Sequence, residues 1–503
     1  MIMNARFITA FAAIVMLLAF SGCSGESQLL DTIPADAPGI VTLNVEKLTD
    51  ALDGAKHGGK LTLSETLDKF LTKSSERCHR EITAILTSES IDRTLMAGFA
   101  ITGKDSGIGA FKHSGDYTYT FKIKNLSALV DEIGASSTPE TIDGFDVYEL
   151  EDVNLVVKDK QGWLLWGDAA KAVATLSDEL NRASNTPASS LKGIAKFLSA
   201  GDNIFHLAIA RSEAADGWTC ITGGVDDNAR EMLFDAKFID ANGKEKDMDT
   251  YLKRIDQSLL DYTTPSDIFV LAMGIKGDTD WEEMLNYVQS VYPLDFSQRS
   301  FMGMILPYLK RLDGTIMIAG GLSDPSDLSQ SNLGRNINFV VAIQLKKSEV
   351  KKTISDLRDI IAMVGLPVVD KGYEFVMQTP GSDPISLKAV DNTIVLTNRS
   401  LKQLGNNAAR DAAKNNSFAI WANIPNSIGE TVYGGNGFTL KMGVNDNFKM
   451  SFSFSDPTVP VFEQLALLIS ADRNPIEEIP ASTETAPEAT ANDMGFTPLD
   501  TIR

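Results

Sequence analysis

Three cysteines and four histidines in 503 residues leave little material for a disulfide scaffold or a histidine-based metal site. His57, His79, His113 and His206 never fall at ligand spacing. Nucleophile elbow, P-loop, dinucleotide fingerprint and two-histidine zinc helix are all missing, so no cofactor is expected. Cationic residues are also scarce, with 46 Lys and Arg against 67 Asp and Glu, a formal charge of -21. That balance excludes nucleic acid as the main partner, because phosphate binding needs a cationic face. What remains is a globular composition, 43% hydrophobic and 22% charged. Its length exceeds what one core usually organises, so two domains are expected.

The first 22 residues have a leader's composition. Arg6 precedes an apolar run from Phe7 to Phe20, then Ser21-Gly22 and Cys23. A short positive start, an apolar stretch and small residues before a cut describe a secretory signal peptide. The run is shorter than the roughly 20 residues that span a bilayer. Ser-Gly-Cys at its end resembles the lipobox of bacterial lipoproteins, which implies cleavage after residue 22 and lipidation of Cys23. Phe20 stands where that motif usually has Leu. Acyl chains there would hold the chain on a membrane, each buried methylene contributing about 0.8 kcal/mol. Ser24, rather than Asp, follows the cysteine, which points to the outer membrane; periplasmic and surface-exposed leaflets both remain open.

Internal similarity runs through the rest. Leu29-Leu30-Asp31 with Pro34 returns as Leu259-Leu260-Asp261 with Pro265. Ile91-Asp92-Arg93-Thr94-Leu95-Met96 returns as Leu312-Asp313-Gly314-Thr315-Ile316-Met317. Phe121 to Ser127 resembles Ile343 to Ser348, and Gly224 to Asn228 resembles Gly443 to Asn447. These matches keep one order and a spacing of roughly 220 to 230 residues, the mark of a repeat. The organisation read from them is a signal peptide at 1–22, a lipidated linker at 23–28 and homologous units at 29–250 and 259–470. Residues 471–503, acidic and interrupted by proline, read as a disordered tail.

Within each unit, strand and helix periods follow one another. Tyr117, Tyr119, Phe121 and Ile123 alternate with Thr118, Thr120, Lys122 and Lys124, and Phe448 to Phe454 alternates with Lys449, Ser451 and Ser453. That period of two predicts half-buried antiparallel strands. Val350, Ile354, Leu357, Ile361 and Val364 predict a helix that stops at Gly365, with a shorter counterpart at Leu126 to Ile133 stopped by Gly134. The fold class expected is α+β: two homologous units, each an antiparallel sheet with helices packed on one face, plus the disordered tail.

Candidate chemistry is sparse. Asp226-Asp227-Asn228 and Asn445-Asp446-Asn447 offer oxygen donors of the kind Ca²⁺ takes, but each lies between strand-like runs and reads as a hairpin turn. Asp280, Glu282 and Glu283 read as the acidic start of a helix, not as a catalytic pair. Cys78 and Cys220 could pair in an exported chain, although the second unit has no cysteine. Trp163 and Trp166, three apart on a strand, should face opposite sides.

The lipobox, the opening Ile33-Pro34-Ala35-Asp36-Ala37 and the length near 500 resemble an uncharacterised lipoprotein family of Bacteroidales. That family carries no activity to transfer. Asp31-Thr32-Ile33 and Asp500-Thr501-Ile502 are similar to the O-glycosylation motif of exported Bacteroidetes proteins, which implicates Thr32 and Thr501, both placed near flexible ends. The function read from all this is a non-enzymatic envelope lipoprotein. It binds or scaffolds while anchored to the outer membrane through Cys23, and its partner is an envelope protein, glycan or lipid. The alternatives are a hydrolase of envelope glycan or peptide and a carrier of a lipid-like ligand.

Overall fold

The computed structural model describes residues 29–71, 76–101, 117–151, 153–210, 217–246, 252–283, 303, 305–324, 336–364, 367–370, 374–378, 383–400, 405–433 and 435–470. Among them, 21 strands form a single antiparallel sheet. The first ten are β1 (Gly39–Leu43), β2 (Ile91–Ala100), β3 (Tyr117–Ile123), β4 (Glu140–Ile142), β5 (Phe145–Glu149), β6 (Val153–Lys158), β7 (Gln161–Trp166), β8 (Phe205–Ala210), β9 (Trp218–Val225) and β10 (Glu231–Ile239). They lie side by side as 4-5-6-7-3-2-1-8-9-10. A short β11 (Glu245–Lys246) folds back on the end of β10.

The last ten are β12 (Phe269–Ile275), β13 (Leu312–Leu322), β14 (Ile337–Leu345), β15 (Val368–Asp370), β16 (Glu374–Met377), β17 (Ile385–Val390), β18 (Thr393–Thr397), β19 (Phe418–Ile424), β20 (Phe438–Val444) and β21 (Phe448–Phe454). Their order is 15-16-17-18-14-13-12-19-20-21, the same sequence of connections as in the first ten. Even the irregularity in β2, between Ile91 and Met96, has a counterpart in β13 between Leu312 and Ile316. The two sets join where β10 runs antiparallel to β21, from Glu231 opposite Ser453 to Ala236 opposite Phe448.

That seam overturns the fold expected from sequence. There are not two separate sheets with helices on one face, but one continuous sheet with helices on both. Each set ends in a strand, β10 or β21, whose outer edge would otherwise expose unpaired N–H and C=O groups, and the two edges satisfy each other. On one face, here face A, lie α1 (Val45–Leu52), α2 (Leu63–Phe70), α3 (Glu76–Thr87) and α4 (Leu126–Ile133), over Val41, Met96, Tyr119, Phe121 and Leu207. On the other, face B, α5 (Ala169–Asn185) covers Val156, Trp163 and Leu165. Beside it, α6 (Ile194–Leu198) and the 3-10 turn Leu30–Thr32 cover Ile40, Phe99 and Ala208. Central strands of the first set are therefore buried on both sides.

The alternation in β3 misled because threonine is amphipathic. Thr118 and Thr120, read as solvent-facing, are buried on face B with their hydroxyls satisfied. Thr118 Oγ1 donates to the Leu164 carbonyl at 2.9 Å, and Thr120 Oγ1 accepts from Gln161 Nε2 at 2.7 Å. A hydrogen-bonded hydroxyl removes most of the cost of burying the group. Local signals fared better. α4 starts on Asn125, whose side chain accepts from Ala128 N, and ends on Gly134 at φ +71°. The second-half helix α7 (Val350–Val364) covers the length predicted for it and buries Val350 and Ile354.

Two further second-half helices matter, one beside the site and one on the opposite face. α8 (Asn407–Ala413) lies on face B with Ala409 and Ala413 buried beside Trp421. α10 (Val461–Ser470), which follows α9 (Asn426–Tyr433), keeps contact with β21 but packs chiefly against α2 of the first half. Val461, Phe462, Leu465, Ala466 and Leu468 enter the same core cluster as Leu48, Leu67 and Phe70. The buried Glu463 Oε2 accepts from Lys60 N at 2.8 Å and Leu61 N at 3.1 Å. Gly59 has to be glycine there, since a Cβ would sit 2.2 Å from that oxygen.

Candidate functional site

A groove of about 420 Å³ runs over the seam on face B. Its floor is β9, β10, β21 and β20, and its walls include Asn203 after α6 and Ala412 and Asn416 around the end of α8. Helical layers cover face B on either side of the seam, and the groove is the gap between them. Both halves of the chain contribute to it.

Strand register sets the chemistry of the floor. Leu233 pairs with Ser451, and Ser451 with Lys441; Asp235 pairs with Lys449, and Lys449 with Gly443; Glu231 pairs with Ser453, and Ser453 with Thr439. Alternate residues of a strand share a face, so these nine positions form a small grid centred on Ser451. Acids stand on the β10 side and lysines on the β21 and β20 side. Lys449 Nζ lies 3.8 Å from Asp235 Oδ2, and Lys441 Nζ lies 3.9 Å from Glu231 Oε1. Leu233, 40% exposed, places an aliphatic side chain between the two acids.

Burial pushes the Asp235 carboxyl above the usual carboxylate range, an effect that Lys449 and Lys237 oppose and Glu245 reinforces. Asp235 continues a row that runs to Thr222 and then to His206. His206 is 1% exposed, its ring edge-on to Phe197 at 5.1 Å and its Nε2 3.3 Å from Asp202 Oδ1. Burial holds its pKa below the ordinary 6.5; Asp202 pulls it up, while Lys237 and Lys47 push it further down.

A base with a depressed pKa stabilises the fold above its unfolded pKa, and that stability is lost as pH falls through the folded value. Wild-type stability should therefore decline below pH 6.5, where the unfolded imidazole takes a proton that the folded one resists, by up to about 1.4 kcal/mol per pH unit. Urea midpoints at about pH 7.5 and pH 5 should converge in His206→Leu relative to wild type. Equal pH dependence in both proteins would remove His206 as the source.

A second depression, about 480 Å³, lies at the other end of the second half among Thr264, Ser323, Asn338 and Arg399. Its cation is committed to the fold: Arg399 donates to Asp267, to Asn338 Oδ1 at 3.0 Å and to the Tyr262 carbonyl at 3.1 Å. The seam groove is the better candidate because its charged groups hold each other loosely.

The residues singled out from sequence are scattered. Cys23 and Thr501 lie outside the described residues. Thr32 is not on a flexible end: it closes the 3-10 turn, donating to the Leu29 carbonyl at 2.8 Å and accepting from Gln161 Nε2 at 2.9 Å. Asp226 and Asn445 open the β9–β10 and β20–β21 hairpin turns, and Asp226 Oδ1 accepts from Arg230 N at 2.6 Å and Glu231 N at 2.7 Å. Among the described residues, no group of three or more His, Cys, Asp and Glu could hold a metal ion. Asp280 Oδ1 accepts from Glu282 N and Glu283 N, both at 3.0 Å, as the start of a helix would. Cys220 is a buried free thiol with its pKa pushed up to about 12 by burial, and the side chain of Cys78 lies outside the described residues. Trp163 and Trp166 do face opposite sides, Trp163 toward α5 and Trp166 against Tyr117 at 4.8 Å.

Sequence reading missed the groove's charged residues, Asp235, Lys441 and Lys449, and Glu231 beside them. Each sits on an alternating strand, where a charge reads as an ordinary solvent-facing position. Only the two hairpin turns beside them carried a signal.

No family model matches the chain, and no curated protein matches it. Among solved structures, one titled "Structure of crystal form III of TP0453" is 9% identical over 74% of this chain and 94% of that chain, with a TM-score of 0.22. At that score the likeness carries no argument about fold or function.

Proposed function

We propose that the protein is a non-enzymatic binding module of the bacterial outer membrane, tethered through a lipidated Cys23, with its ligand site in the groove over the β10–β21 seam. The observation that carries this reading is the groove itself. Its volume of about 420 Å³ falls in the range of small-ligand sites, and it combines an exposed aliphatic residue with a few loosely paired charges. Its acids face lysines across the strands rather than each other, which favours holding a ligand over the paired-carboxylate chemistry of glycoside hydrolysis. Among the described residues, the apolar void lined by Leu48, Phe205, Met232 and Phe462 is about 20 Å³, too small for an acyl chain, and so lends the reading as a lipid carrier no support.

Two measurements test it. Labelled palmitate should enter the native chain and not Cys23→Ala, which should appear in the soluble fraction; an unlabelled native chain refutes the anchor. Small-molecule fractions of the cell envelope should raise the melting temperature of the purified protein but not that of Ser451→Trp, in which the indole fills the groove. If no fraction shifts the wild type, the binding reading fails.

A further inference from the structure

The charges of the seam floor are sorted, and the sorting specifies a ligand. Glu231 and Asp235 belong to β10 of the first half, while Lys449 and Lys441 belong to β21 and β20 of the second. Strands lie about 4.8 Å apart, so the acidic side stands one and two strand spacings, roughly 5 to 10 Å, from the basic side. Ser451 and Leu233 occupy the middle.

The pairs across this boundary are loose. At 3.8 and 3.9 Å both exceed hydrogen-bonding distance, and Lys449 and Lys441 are 75% and 50% exposed. Exposed pairs of this kind contribute between zero and about 1 kcal/mol, so a ligand that hydrogen-bonds each charge can replace them at little cost. A purely anionic ligand would face the two carboxylates, and a purely cationic one the two lysines. A dipolar ligand laid across the strands meets both sides.

We propose that the seam groove binds a small zwitterion, its cationic group over Asp235 and its anionic group over Lys449 and Lys441. This rests on the seam groove being the ligand site. An extended tripeptide fits the span, with termini about 7 to 10 Å apart. The phosphoethanolamine head group of a lipid carries the same pair of charges at closer range.

Calorimetric titration of the full soluble chain decides the matter, with tri-alanine, its N-acetyl and C-terminal amide derivatives, and phosphoethanolamine as probes. At least one zwitterion should bind more tightly than about 1 mM, and capping either end of tri-alanine should weaken it tenfold or more if the peptide is the form bound. Preference for tri-alanine assigns a peptide source, and preference for phosphoethanolamine assigns a head group. Asp235→Asn should remove the penalty for acetylation, and Lys449→Gln the penalty for amidation, with urea midpoints of both variants close to wild type. For the head-group case the matching readout is a tenfold loss of phosphoethanolamine in each variant. Capped and uncapped peptides binding alike overturns the proposal, as does failure of both zwitterions to bind. If both fail while envelope fractions still shift the wild type but not Ser451→Trp, the groove binds something else and only the zwitterion assignment falls.

Discussion

A chain ending at Pro460 is expected to lose the cooperative unfolding of its first half, whereas one ending at Ser470 keeps it. The ten residues between them form α10, which belongs by sequence to the second half and by packing to the first. Val461, Phe462, Leu465 and Leu468 are all buried, and each such side chain contributes about 1.5 to 3 kcal/mol. Their sum, about 6 to 12 kcal/mol, is comparable to the whole stability of a domain. Removing the helix also strips Lys60 N and Leu61 N of the carboxylate they donate to. Fluorescent-dye binding and thermal unfolding of the two truncations give the readout. A Pro460 chain that melts like the Ser470 chain would show that α1 to α4 close the core unaided. The point variant Phe462→Ala, at about 3 to 5 kcal/mol, keeps the test open if the truncation does not express.

Replacing Arg399 by Leu should cost about 3 to 5 kcal/mol, seen as a lower urea midpoint. The Asp267 side chain is fully buried and faces the guanidinium with both oxygens; Oδ2 also accepts from Thr264 N at 2.8 Å. Taking away the cation leaves a buried carboxylate with one backbone donor. The double change Asp267→Leu with Arg399→Leu should recover much of the loss, because a buried pair contributes little net stability while half a pair is strongly destabilising. A single variant as stable as wild type would mean that water reaches Asp267.

How far residues alone disclosed this arrangement depends on the range of the interaction involved. Helix limits such as Asn125 and Gly134 around α4 were legible because capping and positive φ are decided within a turn of chain. The matched segments were legible too, and they occupy equivalent places: the 3-10 turns at Leu30–Thr32 and Gln257–Tyr262, the irregular starts of β2 and β13, and the β9–β10 and β20–β21 hairpins. Thr118 and Thr120 defeated the pattern because period-two alternation reports polarity, and a hydroxyl with a partner is polar yet buried. Asp235 and Lys449 gave no sign of each other because 214 positions of numbering separate two residues that one register brings together.

By itself, the order of amino acids determined the acidic balance of the chain, the ends of its helices and the ordered series of internal matches, all of which rest on local chemistry or on direct comparison of segments. Tertiary structure alone decided that β10 and β21 close one sheet, that α10 crosses to the opposite half, and that two acids and two lysines meet over the seam. The physical reason is that edge strands need hydrogen-bonding partners and apolar faces need cover, and neither requirement names its partner in the covalent chain.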